Sequence, residues 1–178
     1  MTMPILSWPM PRDARYASRG FTLLELIVAI IVISTLVTVA IDRLLYYKER
    51  HEKAAMEYTL ATVKTGLQLR MAELIVTNRQ GSLNELERDN PMRWLEEAAP
   101  SNYLGDYRAT PATGNWYFDP GPRQLVYVPS SSSYLDTGQS GTKELRFRVA
   151  IRYETNAVTG GKSPVAVVVA PVREFGWF

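Results

Sequence analysis

An apolar segment near the start of the chain limits the possible folds more than any other feature of the sequence. Residues 21–41 comprise 21 residues and carry a single charge, that of Glu25. A helix of that length would extend about 30 Å, which is the thickness of the hydrocarbon core of a bilayer. Residues 1–20 carry three arginines and one aspartate, and such a basic flank favours a cytoplasmic N-terminus. The sequence therefore predicts one transmembrane helix, with the rest of the chain outside the cytoplasm.

A cleaved secretory signal and a plain membrane anchor are the ordinary explanations of such a segment. Secretory signals have an apolar core of about 7–15 residues and then a small-residue cleavage site. Here the run is longer and Asp42-Arg43-Leu44-Leu45 follows it, so the first explanation fits poorly. A plain anchor does not explain Glu25, because an ionised carboxylate inside a bilayer is costly unless it is paired.

Glu25 needs a cationic partner that the segment itself does not contain. Residues 21–41 include no lysine, arginine or histidine. A cut between Gly20 and Phe21 would create an α-amine near Glu25 of the same chain, or near that of a neighbour in a packed array. Such a pair would neutralise the buried charge and fix the axial register between subunits.

The residues around this position match a known signal. They read Arg19-Gly20-Phe21-Thr22-Leu23-Leu24-Glu25-Leu26-Ile27. Together with the apolar helix up to residue 41, this stretch closely resembles the class III signal of type IV pilins and type II secretion pseudopilins. The resemblance implies that prepilin peptidase cuts after Gly20 and N-methylates Phe21, and that Glu25 pairs with the amine of an adjacent subunit. It also implies other pilin or pseudopilin subunits and an inner-membrane assembly platform with its ATPase as partners.

The resemblance further implies a precursor in the inner membrane with a periplasmic C-terminal domain, which is later extracted into a pseudopilus or into a pilus, the latter reaching the cell surface. Two departures from the family pattern bear on the subtype. The 20-residue leader is longer than the short leaders common in the family, although translation could also start at Met3 or Met10. Many major pilins have a proline near the position of Asp42, and here no proline precedes Pro91 after the leader. The second departure favours a minor pilin or a pseudopilin.

Beyond the membrane segment, the sequence predicts that the helix continues to about residue 78 as an amphipathic helix. Its apolar residues recur every three or four positions, which is the spacing of one face of an α-helix. They are Met56, Leu60, Val63, Leu67, Met71 and Leu74. Charged residues such as Glu49 and Glu52 fall on the opposite side and are expected in solvent. The predicted organisation is a leader at 1–20, a transmembrane and assembly half of the helix at 21–41, its amphipathic half at 42–78, and a globular domain at 79–178.

The globular domain is predicted to contain one short helix and about four antiparallel strands. The helix is expected at Pro91–Ala98, since proline is favoured at the first helical position, and a loop is expected at residues 100–114. Turn residues and runs of apolar residues predict the strands, at 115–118, 124–128, 145–154 and 165–169. The expected class is α+β, with the pilin architecture: a long N-terminal helix, transmembrane in its first half, packed on an antiparallel sheet.

Composition excludes several kinds of chemistry. The chain has no cysteine and one histidine, His51, which excludes disulfides, zinc–thiolate sites, iron–sulfur clusters and thiol nucleophiles. A polar loop at residues 130–141 contains one carboxylate, Asp136, whereas a calcium site needs several oxygen ligands. The sequence contains no recognisable catalytic constellation, so we expect neither an enzyme nor a cofactor or metal site.

Two other hypotheses stand beside a structural subunit. Arg146, Arg148 and Arg152 lie at even spacing on one predicted strand and so share a face, which could bind DNA phosphates or a surface ligand at a pilus tip. The net charge of +2 gives no wider basic field to support nucleic acid as a partner. The other hypothesis is a plain membrane-anchored periplasmic domain. The C-terminal Trp177 and Phe178 are expected to pack under the sheet edge, or else to form a subunit contact.

Overall fold

A computed structural model describes residues 21–138, 143–155 and 160–178 of the chain. The predicted leader and its last residue, Gly20, therefore lie outside the described residues. The chain divides into two compact units, Met1–Asp42 and Arg43–Phe178. The long helix α1, Leu23–Val76, begins in the first unit and ends in the second.

Helix α1 begins directly after Thr22, which caps it. The Thr22 hydroxyl accepts a hydrogen bond from the Glu25 amide at 3.2 Å, and the Thr22 carbonyl accepts one from the Leu26 amide at 3.1 Å. Thr22 and Glu25 thus occupy the two ends of the S/T-x-x-E pattern that starts helices. Glu25 lies in the first turn, where a negative charge is favoured by the positive end of the helix dipole.

Within the first unit, the helix is apolar on all sides. An 18-residue window of α1 has a mean hydropathy of 2.7, and none of that window is buried. The large apolar side chains of residues 23–41 are 46–77% exposed. This part of the helix therefore has the length and composition of the predicted transmembrane anchor.

Within the second unit, one face of α1 is buried. That face consists largely of the predicted apolar stripe: Met56, Val63, Leu67, Met71 and Leu74, with Leu60 partly buried. Asn78 ends the helix in the left-handed region, with a φ of 56°. The Arg79 amide donates to the Leu74 carbonyl at 2.7 Å and the Asn78 amide to the Ile75 carbonyl at 3.1 Å, which is the bond pattern of a Schellman cap.

Short helical segments lead from α1 to the sheet. They are a 3-10 turn at Gln80–Ser82, helix α2 at Leu83–Arg88 and a 3-10 helix at Pro91–Ala98. The last of these lies where the short helix was predicted, but its hydrogen bonding is of the 3-10 kind. Asn90 starts it by accepting a hydrogen bond from the Met92 amide at 3.0 Å. Helix α2 is additional to the prediction, and it buries Leu83 and Leu86.

The strands are β1 at Tyr103–Asp106, β2 at Asn115–Asp119, β3 at Gln124–Val128, β4 at Leu135–Asp136, β5 at Leu145–Thr155, β6 at Lys162–Pro171 and β7 at Gly176–Trp177. Five of them form one sheet in the order β1-β2-β3-β5-β6, and β4 and β7 form a separate antiparallel pair. The four predicted strands correspond to β2, β3, β5 and β6, which pair antiparallel. The α+β class is confirmed.

The expectation of a purely antiparallel sheet is wrong at one edge. Strand β1 lies within the segment expected to be a loop, and it runs parallel to β2 with Tyr103 opposite Trp116. None of its four residues is buried, and the sequence Tyr-Leu-Gly-Asp has no alternation of apolar and polar residues that would mark a strand. The sheet is therefore mixed, with β1 added beside the predicted hairpin.

The core of the second unit lies between the stripe of α1 and one face of the sheet. Trp116, Leu125, Tyr127, Phe147 and Val167 are buried in it together with the stripe. The Trp116 and Tyr127 rings lie 4.8 Å apart, and aromatic pairs at such distances add to the energy of burial. This core positions the outer face of the sheet and the loops that meet α1.

Candidate functional site

The segment expected to be processed and assembled has an exposed N-terminal end. Phe21 is 74% exposed and is the first described residue, while the cleavage position after Gly20 is outside the described residues. Phe21 directly precedes Thr22, the residue that caps the helix. An amine at Phe21 would thus stand within one helical turn of Glu25.

Glu25 is the one charged side chain of the apolar segment, in which both threonines beyond the cap satisfy their hydroxyl groups within the helix. The Thr35 hydroxyl donates to the Ile31 carbonyl and the Thr38 hydroxyl to the Ser34 carbonyl, each at 2.9 Å. Such bonds to the preceding turn satisfy hydroxyl groups within the helix itself, as an apolar environment requires. The Glu25 carboxylate makes no ion pair with any residue in the described part of the chain.

A second acid on α1, Glu49, is fully buried, contrary to the expectation that it faces solvent. Its carboxylate accepts hydrogen bonds from the Ser131 hydroxyl at 2.7 Å, the Ser133 amide at 2.8 Å, the Tyr134 amide at 3.0 Å and the Trp177 indole at 3.3 Å. Burial alone would raise the pKa of Glu49, but the hydrogen bonds, that of Ser131 foremost, outweigh it and lower the pKa to about 2. Glu49 is therefore an ionised anchor for the loop between β3 and β4.

Glu52, one turn further along α1, binds the beginning of the same loop through hydrogen bonds. Its carboxylate accepts hydrogen bonds from the Ser130 amide at 2.6 Å and the Tyr127 hydroxyl at 2.8 Å. Burial, and then the hydrogen bond to Glu52, raise the pKa of Tyr127 well above its ordinary value, so the phenol stays protonated as a donor. The two glutamates are three positions apart and share one side of the helix.

The C-terminus meets α1 beside this loop. Trp177 is buried and its carbonyl accepts a hydrogen bond from the Lys53 ammonium at 2.8 Å. Phe178 remains 51% exposed and stacks on Tyr134 at 5.3 Å and edge-on against Tyr46 at 5.2 Å. Trp177, a residue of β7, is thus buried against α1, a place that the sequence had not specified.

The three arginines of the predicted ligand or DNA face are not equivalent. Arg146 forms ion pairs with Asp119 at 2.9 Å and Glu144 at 3.1 Å, and its guanidinium lies 5.0 Å from the centre of the Tyr107 ring. Arg148 and Arg152 are exposed. The structure places all three on the outer side of β5, but Arg146 is already neutralised by its partners.

The remaining residues considered for chemistry lie apart. His51 is exposed, and Asp136 is exposed with its carboxylate accepting a hydrogen bond from the Gly138 amide at 2.8 Å. Among residues 21–138, 143–155 and 160–178, no three acidic or histidine side chains come together in a way that could hold a metal ion.

Comparison with known proteins identifies the N-terminal segment. The profile of the prokaryotic N-terminal methylation motif matches residues 15–41. No curated protein and no solved structure matches the chain significantly. The matched residues include Phe21, the Thr22 cap and Glu25, and the long apolar helix on a sheet is consistent with the pilin fold. Residues 15–41 of this chain therefore carry the signature of the type IV pilin and pseudopilin family.

Proposed function

We propose that the chain is a structural subunit, a minor pilin or pseudopilin, of a type IV pilus or a type II secretion fibre. Prepilin peptidase removes residues 1–20 after Gly20 and methylates the amine of Phe21. The processed subunit is stored in the inner membrane, with its C-terminal domain in the periplasm. It is then extracted into the fibre by an assembly platform and packs there through the apolar half of α1.

The observation that carries this proposal is the unpaired carboxylate of Glu25 on an apolar, exposed helix that bears the methylation motif. A lone carboxylate in a membrane or in a helix bundle is unfavourable until a cation reaches it. The amine created at Phe21 is such a cation. In a helical array, pairing between one subunit's amine and the next subunit's Glu25 would set the axial register.

The absence of proline from α1 supports the minor-pilin or pseudopilin subtype. The helix contains no proline over Leu23–Val76, and Asp42 stands where many major pilins have one. The outer domain then distinguishes this subunit from others in the fibre. Its exposed surface would carry any contact specific to the fibre tip or base.

The direct test is intact-mass and peptide mass spectrometry of the protein in two fractions, sheared surface fibres and inner membrane. In cells with the peptidase we expect a chain that begins at N-methylated Phe21, and in cells without it the full leader. An intact leader in peptidase-containing cells would refute processing. Abundance in the sheared fraction indicates a major subunit, trace amounts a minor pilin, and confinement to the membrane a pseudopilin.

Glu25→Ala tests assembly separately from processing. We expect normal cleavage and methylation but strongly reduced incorporation into fibres, measured as the ratio of fibre-bound to membrane-bound protein. Glu85→Ala, which removes an exposed carboxylate of α2, is the matched control and should incorporate normally. Normal fibres from the Glu25→Ala chain would exclude the register role.

A further inference from the structure

Three arginines from three different elements line one groove in the second unit. Arg88 is the last residue of α2, Arg123 precedes β3, and Arg148 lies on the exposed side of β5. The groove has a volume of about 400 Å³, and one acidic residue, Glu87, also lines it. With three arginines and one glutamate, the lining residues carry a formal net charge of +2.

Strand pairing brings Arg123 to β5. Strand β3 pairs with the start of β5, with Leu125 opposite Phe147. Arg123 lies two residues before Leu125, in the turn that leads into β3, and it lines the groove together with Arg148 and Val149 of β5. The β2–β3 turn therefore positions Arg123 next to β5, the strand that carries Arg148.

Helix α2 brings the third arginine to the same edge. Past the end of β3, the edge of β5 is met by α2, and the Glu87 carboxylate accepts a hydrogen bond from the Ile151 amide at 2.7 Å. This bond ties down the last turn of α2 and so holds the adjacent Arg88 near β5. Because its carboxylate is engaged by the backbone, Glu87 does not serve as an ion-pair partner for the arginines among the described residues.

The arrangement is unfavourable for folding alone. None of Arg88, Arg123 and Arg148 forms an ion pair or a side-chain hydrogen bond with another described residue, although all three line the same groove. Arg123 also has a φ of 56°, in the left-handed region that disfavours residues with a β-carbon. A groove lined by charges of one sign, without counter-charges from the described part of the chain, attracts an anion.

We propose that this groove binds the phosphate group of a phosphate monoester. Guanidinium groups bind phosphate oxygens in a bidentate way, and a monoester carries a charge of about −1.5 to −2 near pH 7, which matches the groove. A diester backbone offers one charge per phosphate and would need a continued basic track. That track is interrupted on β5, because Arg146 is neutralised by Asp119 and Glu144. The site is independent of processing and assembly.

The test is a titration of the full chain, in an uncharged maltoside detergent, with inorganic phosphate and with phenyl phosphate. The guanidinium NMR signals of the arginines are followed while chloride keeps the ionic strength constant. We expect saturable one-to-one binding that weakens as the pH falls through about 6, where the phosphate loses its second charge. Absence of saturable binding by either probe would overturn the proposal.

Variants locate the site. Arg123→Asn and Arg148→Gln should each weaken binding by roughly tenfold or more, the effect of losing a charge-assisted hydrogen bond. Arg108→Ala removes an exposed arginine between β1 and β2 and should leave the affinity unchanged. Arg123→Asn should keep or raise the melting temperature, because asparagine tolerates a positive φ, so lost binding cannot be attributed to unfolding. Equal weakening by all three variants would mean general charge attraction and would overturn the site.

An oligonucleotide with and without a 5′-phosphate separates the two kinds of phosphate. The proposal requires that the 5′-phosphate increases affinity and that this increase depends on Arg123. Equal binding of both oligonucleotides, tighter than phenyl phosphate, would replace the monoester site with recognition of a diester backbone.

Discussion

Replacing Glu49 with glutamine should destabilise the second unit and flatten its response to acid. The hydrogen bonds around the buried carboxylate lower its pKa from 4.5 to about 2. A difference of that size between the unfolded and folded states corresponds to about 3 kcal/mol of folding free energy at neutral pH. Because the folded pKa is the lower one, this contribution is complete above about pH 4.5 and is lost as the pH falls toward 2.

Glutamine is the informative substitution at this position. It keeps the volume and one acceptor oxygen, but it brings an amide donor toward a site where four donors already converge. We therefore expect Glu49→Gln to lower the free energy of unfolding by about 3 kcal/mol or somewhat more, which is within the range for breaking a buried polar network. Alanine would also leave a cavity and four unsatisfied donors, so its effect would combine several causes and would be harder to interpret.

The assay is guanidinium denaturation of the detergent-solubilised chain, followed by tryptophan fluorescence at several pH values from about 7 down to about 3. Taking the difference between wild type and Glu49→Gln cancels the titration of distant acids. Glu57→Gln is the control on the same helix: its carboxylate is exposed and lies 3.9 Å from Lys53, so we expect a change below about 0.5 kcal/mol. A Glu49→Gln difference as small as the control, or one that does not shrink with acid, would refute the anchoring role.

Three further changes test the neighbouring contacts. Glu52→Gln should cost about 1–2 kcal/mol in the same denaturation assay, and it should lower the pKa of Tyr127 in a spectroscopic titration because the phenol loses its charged acceptor. Phe178→Ala should cost about 1 kcal/mol by removing two ring contacts, whereas an unchanged stability would leave Phe178 available as a subunit contact. Thr22→Val should speed amide hydrogen exchange at Glu25, since the cap bond to that amide is lost; protection equal to wild type would exclude Thr22 as the cap.

Local patterns in the sequence account for much of the fold. The apolar run predicts the first part of α1, and the spacing from Met56 to Leu74 predicts its buried face, because both depend only on neighbours within one helix. The alternation along β5 likewise predicts its two faces. Each of these features depends on residues close together in the sequence, so the local composition and the spacing of the apolar residues suffice to predict them.

The buried position of Glu49 could not be predicted in that way. Helical periodicity places it among charged residues, and its donors lie more than 80 residues away, in the serine-rich loop and at Trp177. The same limit applies to Arg146, whose neutralisation by Asp119 depends on how β2, β3 and β5 pair. A weak signal for the loop was present: a run of serines before Tyr134 offers many donors, which suits a buried carboxylate.

The two acids at Glu25 and Glu49 show where this chain depends on another molecule. Glu49 is surrounded by donors from its own domain, so its charge is compensated by folding. Glu25 lies exposed on an apolar helix and has no ion-pair partner among the described residues, so folding leaves its charge uncompensated. Mutation of Glu49 should therefore change the unfolding free energy of the second unit, whereas mutation of Glu25, which lies in the first unit, should leave that quantity unchanged and act on incorporation. If Glu25→Ala instead lowered the unfolding free energy of the second unit, the partner of Glu25 would lie within the chain, and the register between subunits would have to arise elsewhere on α1.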